Sequence, residues 1–137
     1  MPECRPWKLL RRLLWAVLPV LPLLAQAQAL PPGDAQRGAA IAQSRSLGLC
    51  VLCHAVPGLP ESQWGTLGPP LQGVGARLTA DELRQRLEAP ERFNPETLMP
   101  SYRRHDGLQQ VARSRQGQAL FTPQQLADVL AWLVLLK

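Results

Sequence analysis

The chain has no apolar run long enough to cross a bilayer as a helix: its one such stretch, Leu13 to Ala25, spans about 13 residues where roughly 20 are needed. It has no long basic run either, so nucleic acid binding finds no support. No internal repeat is visible, and the later part of the chain carries no long low-complexity tract. Strict apolar/polar alternation, the mark of a half-buried strand, is nearly absent. Side chains that bind metals or form covalent bonds are scarce: three cysteines, two histidines and two methionines in 137 residues. The few that remain therefore carry the reading.

What is present begins with an export signal. Arg5, Lys8, Arg11 and Arg12 precede the apolar run against a single acid, Glu3, and Ala25-Gln26-Ala27-Gln28-Ala29 follows it. A basic head, a short apolar middle and an Ala-x-Ala site make a cleavable secretory signal, here residues 1–29, cut after Ala27 or Ala29. An uncleaved anchor is the alternative, and Arg11-Arg12 is a weak cue for twin-arginine export. The mature chain, residues 30–137, is then one periplasmic domain with no stable membrane anchor. It holds eleven basic and nine acidic residues, a net charge of about +2, so the high pI of the whole chain comes largely from the signal. Cys4 leaves with that signal, and Cys50 and Cys53 alone cannot build a disulfide framework.

The mature region reads as helices joined by long loops. Asp34 can cap a helix running to about Ser44, in which Gly38 costs about 1 kcal/mol relative to alanine. Thr79 and Glu82 form a capping box, Leu78 and Leu83 a hydrophobic staple, and Pro90 ends that helix. Gly107 to Arg115 is a candidate short helix. Thr122, Pro123 and Gln125 start the clearest one, with Leu126, Val129, Leu130 and Leu133 at helical spacing. Between them, the Pro/Gly-rich passage Pro57 to Gly75 is longer than a compact domain normally tolerates unless it wraps something or carries function.

Cys50-Val51-Leu52-Cys53-His54 is C-x-x-C-H, the attachment signature of c-type haem. Two thiols add across the haem vinyl groups, and the histidine that follows binds the iron. Two other chemistries use similar residues. A dithiol redox pair normally sits on a strand-to-helix turn in a βαβ setting, which is lacking here. A structural zinc needs four ligands, and Cys50, Cys53, His54 and His105 are just enough.

A sixth iron ligand would come from further along. Met99 is the only methionine left after Met1 departs, and it lies in the proline-bounded loop Asn94-Pro95-Glu96-Thr97-Leu98-Met99-Pro100. His105 and an open site are the alternatives. A thioether donor favours ferrous iron and raises the potential, which suits an electron carrier.

These blocks together resemble class I c-type cytochromes through most of residues 30–137. The resemblance implies an all-α fold of three to five helices wrapped around one covalently bound haem. It implies that the Pro69 carbonyl in Gly68-Pro69-Pro70-Leu71 accepts from the free ring nitrogen of His54, and that Gly38 is where the last helix crosses the first, under Trp132 and Val129. Within that class, Gly48 to His54, Gly68 to Arg77 and Asn94 to Tyr102 are similar to the SoxX subunits of the bacterial sulfur-oxidising system.

That likeness implies a SoxA cytochrome as heterodimer partner, a transient SoxYZ carrier and a soluble cytochrome c as electron acceptor. The complex it implies couples thiosulfate oxidatively to a SoxYZ cysteine, an L-cysteine S-thiosulfotransferase activity whose active-site cysteine lies on SoxA. This chain would then carry no catalytic residue and serve electron transfer alone. A free-standing periplasmic cytochrome, or a haem enzyme or gas sensor with an open sixth site, are the competing readings. Arg103, Arg104, Arg113 and Arg115 could steer an acidic partner, neutralise haem propionates or form an ordinary solvated face.

Overall fold

The computed structural model describes residues 29–137, so the expected export signal lies, but for Ala29, outside the described residues. Four α-helices occur in it, with no strand among the described residues: α1 (Ala35–Gln43), α2 (Val74–Arg77), α3 (Ala80–Glu88) and α4 (Pro123–Leu133). The fold is all-α. No described helix is long and apolar enough to cross a membrane.

Helix starts follow local chemistry. The Asp34 side chain accepts from Arg37 N–H at the head of α1, and Thr79/Glu82 and Thr122/Gln125 form full capping boxes on α3 and α4. These satisfy backbone donors that the first turn would otherwise leave without partners. The expected helix over Gly107–Arg115 does not form. Gly107 and Gln110 take left-handed φ values of 66° and 56°, which break a right-handed run, and only a 3₁₀ turn at Arg113–Arg115 remains.

α1 and α4 pack against each other and make the centre of the core, with Ile41 and Ala42 meeting Val129, Trp132 and Leu133 in one cluster that also takes in Val51, Val56, Leu83, Leu87 and Phe121. Gly38 is the point of closest approach: a Cβ there would run into the Asp128 carbonyl and touch Trp132 Cβ. The nearest obstacle is thus the α4 backbone, with Trp132 beside it. Next to this crossing, the buried Asp128 carboxylate, 2% exposed, accepts from Arg37 Nε and Nη2 and from Gln124 Nε2, each at 2.9 Å, and from the Asp34 N–H at 2.8 Å. The Arg37 contact is bidentate, the strongest common form of ion pair.

The Arg37 bonds, with those from Asp34 and Gln124, hold the Asp128 carboxyl at about 2 against an ordinary 3.8. A lowered carboxylate pKa stabilises the fold in full above the ordinary value and loses that contribution as pH falls through the lowered one. Asp128→Ala should therefore cost on the order of 2 kcal/mol at neutral pH, since several donors lose their acceptor. In denaturant melts, the gap between variant and parent should narrow as pH drops from 3.8 toward about 2. A gap unchanged by acid would show that the carboxylate's charge contributes nothing.

Candidate functional site

The site begins where α1 ends. Leu49 adopts a left-handed φ of 62°, and Cys50–Leu52 then form one 3₁₀ turn. The Cys53 and His54 N–H groups both donate to the Cys50 carbonyl, at 3.2 and 2.9 Å. One tight turn thus presents two free thiols and an imidazole within five residues. Cys50 is buried and Cys53 half-buried. Burial pushes the Cys50 thiol up, so at neutral pH it stays protonated in the folded chain.

The Pro/Gly-rich passage is built around this turn. Gly65 N–H donates to Val51 O at 2.8 Å, Gly68 N–H to Cys53 O at 2.7 Å, and Leu71 N–H to Ala55 O at 3.0 Å. These three bonds lay residues 65–71 alongside 51–55 and bring Pro69 to His54. Its carbonyl lies 2.6 Å from Nδ1. A carbonyl can only accept, so Nδ1 carries the proton and Nε2 keeps its lone pair for a metal. On one face of the ring sits Gly68, where a Cβ would overlap Cε1, Nδ1 and Nε2. Only glycine lets the backbone come that close, and the imidazole is held between a hydrogen bond and a backbone wall.

Met99 is half-buried and packs against the core, its N–H donating to Thr97 Oγ1 at 3.1 Å. Its loop is tied to α3, with Ser101 Oγ donating to the Glu88 carbonyl and Tyr102 N–H to Leu87 O at 2.8 Å. His105 is exposed and lines a surface hollow with Gly107, Leu108, Gln110 and Arg115, which contains none of Cys50, His54 and Met99. Among the described residues no three His, Cys, Asp or Glu side chains converge as a metal cluster would, and the zinc alternative falls with that.

These residues fit a covalently held haem. Two thiols with two residues between them suit its two vinyl groups, and an imidazole held at Nδ1 by the Pro69 carbonyl, leaving Nε2 for the iron, follows them. The Leu67 and Leu98 side chains, which precede Gly68 and Met99, are 67% and 78% exposed, and Leu52 and Phe93 are exposed as well. Leu52 lies in the attachment turn and Leu67 directly before the glycine that meets His54, and apolar groups left facing solvent there suit the rim of a porphyrin pocket.

The arginines do not act as one cluster. Arg103 Nη1 donates to the Phe121 carbonyl at 2.8 Å and Arg104 pairs with Glu91, while Arg113 and Arg115 sit in the 3₁₀ turn further along. Two contributors escaped sequence reasoning. Gly68 lay inside the Gly-Pro-Pro-Leu block but gave no sign that it would touch the ring. Tyr102 is the chain's only tyrosine, a signal that could have drawn attention to it. Its hydroxyl donates to the Gly48 carbonyl at 2.7 Å, beside the attachment turn.

No family model matches the chain, and no curated protein does. Among solved structures, a chain in the crystal structure of SoxXA from P. pantotrophus is 34% identical to this one, with a TM-score of 0.69. The match covers 78% of this chain and 84% of that one.

Proposed function

The chain belongs to the SoxX family of class I c-type cytochromes, and from that premise we propose that it is the electron-transfer subunit of a SoxAX-type thiosulfate-oxidising complex. In this reading it is exported to the periplasm and carries one haem c through Cys50 and Cys53. It pairs with a SoxA cytochrome, takes electrons from the SoxA haem and passes them to a soluble cytochrome c. The cysteine chemistry on thiosulfate and the SoxYZ carrier belongs to the partner.

The observation that carries this reading is the fixed imidazole: His54, donating from Nδ1 to the Pro69 carbonyl, has one tautomer and one orientation. Bound there, a haem iron supplies a one-electron couple. The chain's residues decide how that couple is used. Cys50 and Cys53 hold the group after its thiols have become thioethers, so no free cysteine remains in residues 30–137 to act as a nucleophile. The Pro69 carbonyl strengthens His54 as a donor by accepting a hydrogen bond from its Nδ1–H. Met99 would supply a soft sixth donor that favours the reduced state. Were His54 and Met99 both to bind the iron, small-molecule chemistry there would be disfavoured.

Met99→Ala should abolish the long-wavelength absorption band of sulfur-ligated ferric haem while leaving the covalent attachment intact. Survival of that band would remove Met99 from the ligand set. The wider assignment is tested by purifying the protein from its own cells under mild conditions. A second cytochrome should travel with it through gel filtration. A lone monomer would support a free-standing electron carrier instead.

A further inference from the structure

We propose that Tyr102 is a latch that fastens the Met99 loop to the haem-attachment turn and thereby keeps the sixth ligand in place, an inference that rests on Met99 being that ligand. Tyr102 is 3% exposed. Its ring stacks on Phe121, with centroids 4.3 Å apart and planes 28° from parallel. Its backbone is held on both sides, N–H to Leu87 O at 2.8 Å and carbonyl to Phe121 N–H at 2.9 Å. The phenol therefore stands at a fixed place three residues after Met99, and its hydroxyl crosses to the Gly48 carbonyl, two residues before Cys50.

The buried Gly48 carbonyl has two side-chain donors, the Tyr102 hydroxyl at 2.7 Å and the Cys50 thiol at 3.4 Å. The thiol proton is lost when a thioether forms. Tyr102 then remains as the one side-chain donor to that carbonyl, and attachment makes the latch indispensable to a buried acceptor. Burial pushes the Tyr102 hydroxyl pKa up, so it stays a donor across ordinary pH. Sulfur and phenol oxygen are 3.9 Å apart, close enough that the two loops pack directly at this point. Displacing Met99 requires its loop to move, and the latch resists that movement.

The test uses Tyr102→Phe, which keeps the ring and its stacking and removes only the hydroxyl. Imidazole binding to the ferric, haem-loaded protein is titrated by absorbance, because imidazole enters only as the Met99 sulfur leaves. Affinity should rise about tenfold in Tyr102→Phe, the usual size of one buried hydrogen bond lost from the closed state alone. Adding Tyr102→Phe to Met99→Ala should produce no further rise, since no ligand remains to be latched. Equal affinities in parent and Tyr102→Phe would overturn the proposal, and so would the same tenfold rise in the Met99→Ala background. Should Met99→Ala itself leave imidazole affinity unchanged, the ligand assignment fails instead, a separate result.

The unmodified protein provides a second measurement that does not depend on how a variant folds. In the reduced, diamagnetic state the Tyr102 hydroxyl proton should give a slowly exchanging NMR signal with a cross-peak to Gly48 or Leu49. Fast exchange with water would show that the bond does not persist in the loaded protein.

Discussion

Replacing both thiols, Cys50→Ala with Cys53→Ala, is expected to yield a chain that gives no band on a denaturing gel stained for haem, where the parent gives a strong one. The effect is all-or-none because the two sulfurs are the only covalent tethers residues 30–137 can offer. The 3₁₀ turn Cys50–Leu52 sets the distance between them, and both following N–H groups bind the Cys50 carbonyl, so the turn does not depend on the sulfurs for its shape. Single replacements should leave a weaker band, one thioether surviving. His54 alone would hold a haem only reversibly, and the gel strips away what is not bonded. A stained band from the double variant would mean attachment elsewhere.

Gly38→Ala is expected to destabilise the protein, against the direction that helix propensity gives. Alanine is better than glycine inside a helix by about 1 kcal/mol. The added methyl, however, would run into the Asp128 carbonyl and touch Trp132 Cβ. The carbonyl belongs to the α4 backbone, and its side chain is locked by four hydrogen bonds, so neither can swing aside cheaply. Overpacking a site that cannot relax costs about 3 kcal/mol. The net loss should be about 2 kcal/mol, a fall in melting temperature of roughly 10 °C for a domain of this size. A melting temperature at or above the parent's would show that the α1–α4 crossing has slack.

Much of this architecture was legible in the sequence because it is written in local chemistry. Thr79/Glu82 and Thr122/Gln125 announce helix starts within four residues, and the structure has both boxes. Gly38 announced a close approach because a costly residue needs a reason, although the backbone of Asp128 is its nearest neighbour. A mostly helical domain followed from the lack of alternating runs, and the resemblance implied the all-α fold that the structure has. What stayed hidden depends on distance in space. The Arg37–Asp128 pair joins residues 91 positions apart, and Tyr102 reaches Gly48 across 54; no spacing rule links them. Gly107–Arg115 misled for the opposite reason. Its composition allows a helix, but φ values of 66° at Gly107 and 56° at Gln110 turn the chain before one can form.

The C-x-x-C-H motif was also legible, while its surroundings were legible only in part. Resemblance supplied Pro69 as the acceptor for His54, and the structure places its carbonyl 2.6 Å from the ring nitrogen. Gly68 as a wall against the imidazole needed coordinates, because sequence does not say which face of a ring a glycine meets. The long Pro57–Gly75 passage reads in retrospect as a backbone brace: three hydrogen bonds to residues 51–55 explain a length that a simple connection would not need.

The most direct check is intact-mass spectrometry of the purified protein after denaturation and treatment with an alkylating agent. The polypeptide should weigh one haem more than its amino acids and take up no label at Cys50 or Cys53. A colourless chain of bare polypeptide mass, alkylated at both sulfurs, would contradict the whole account.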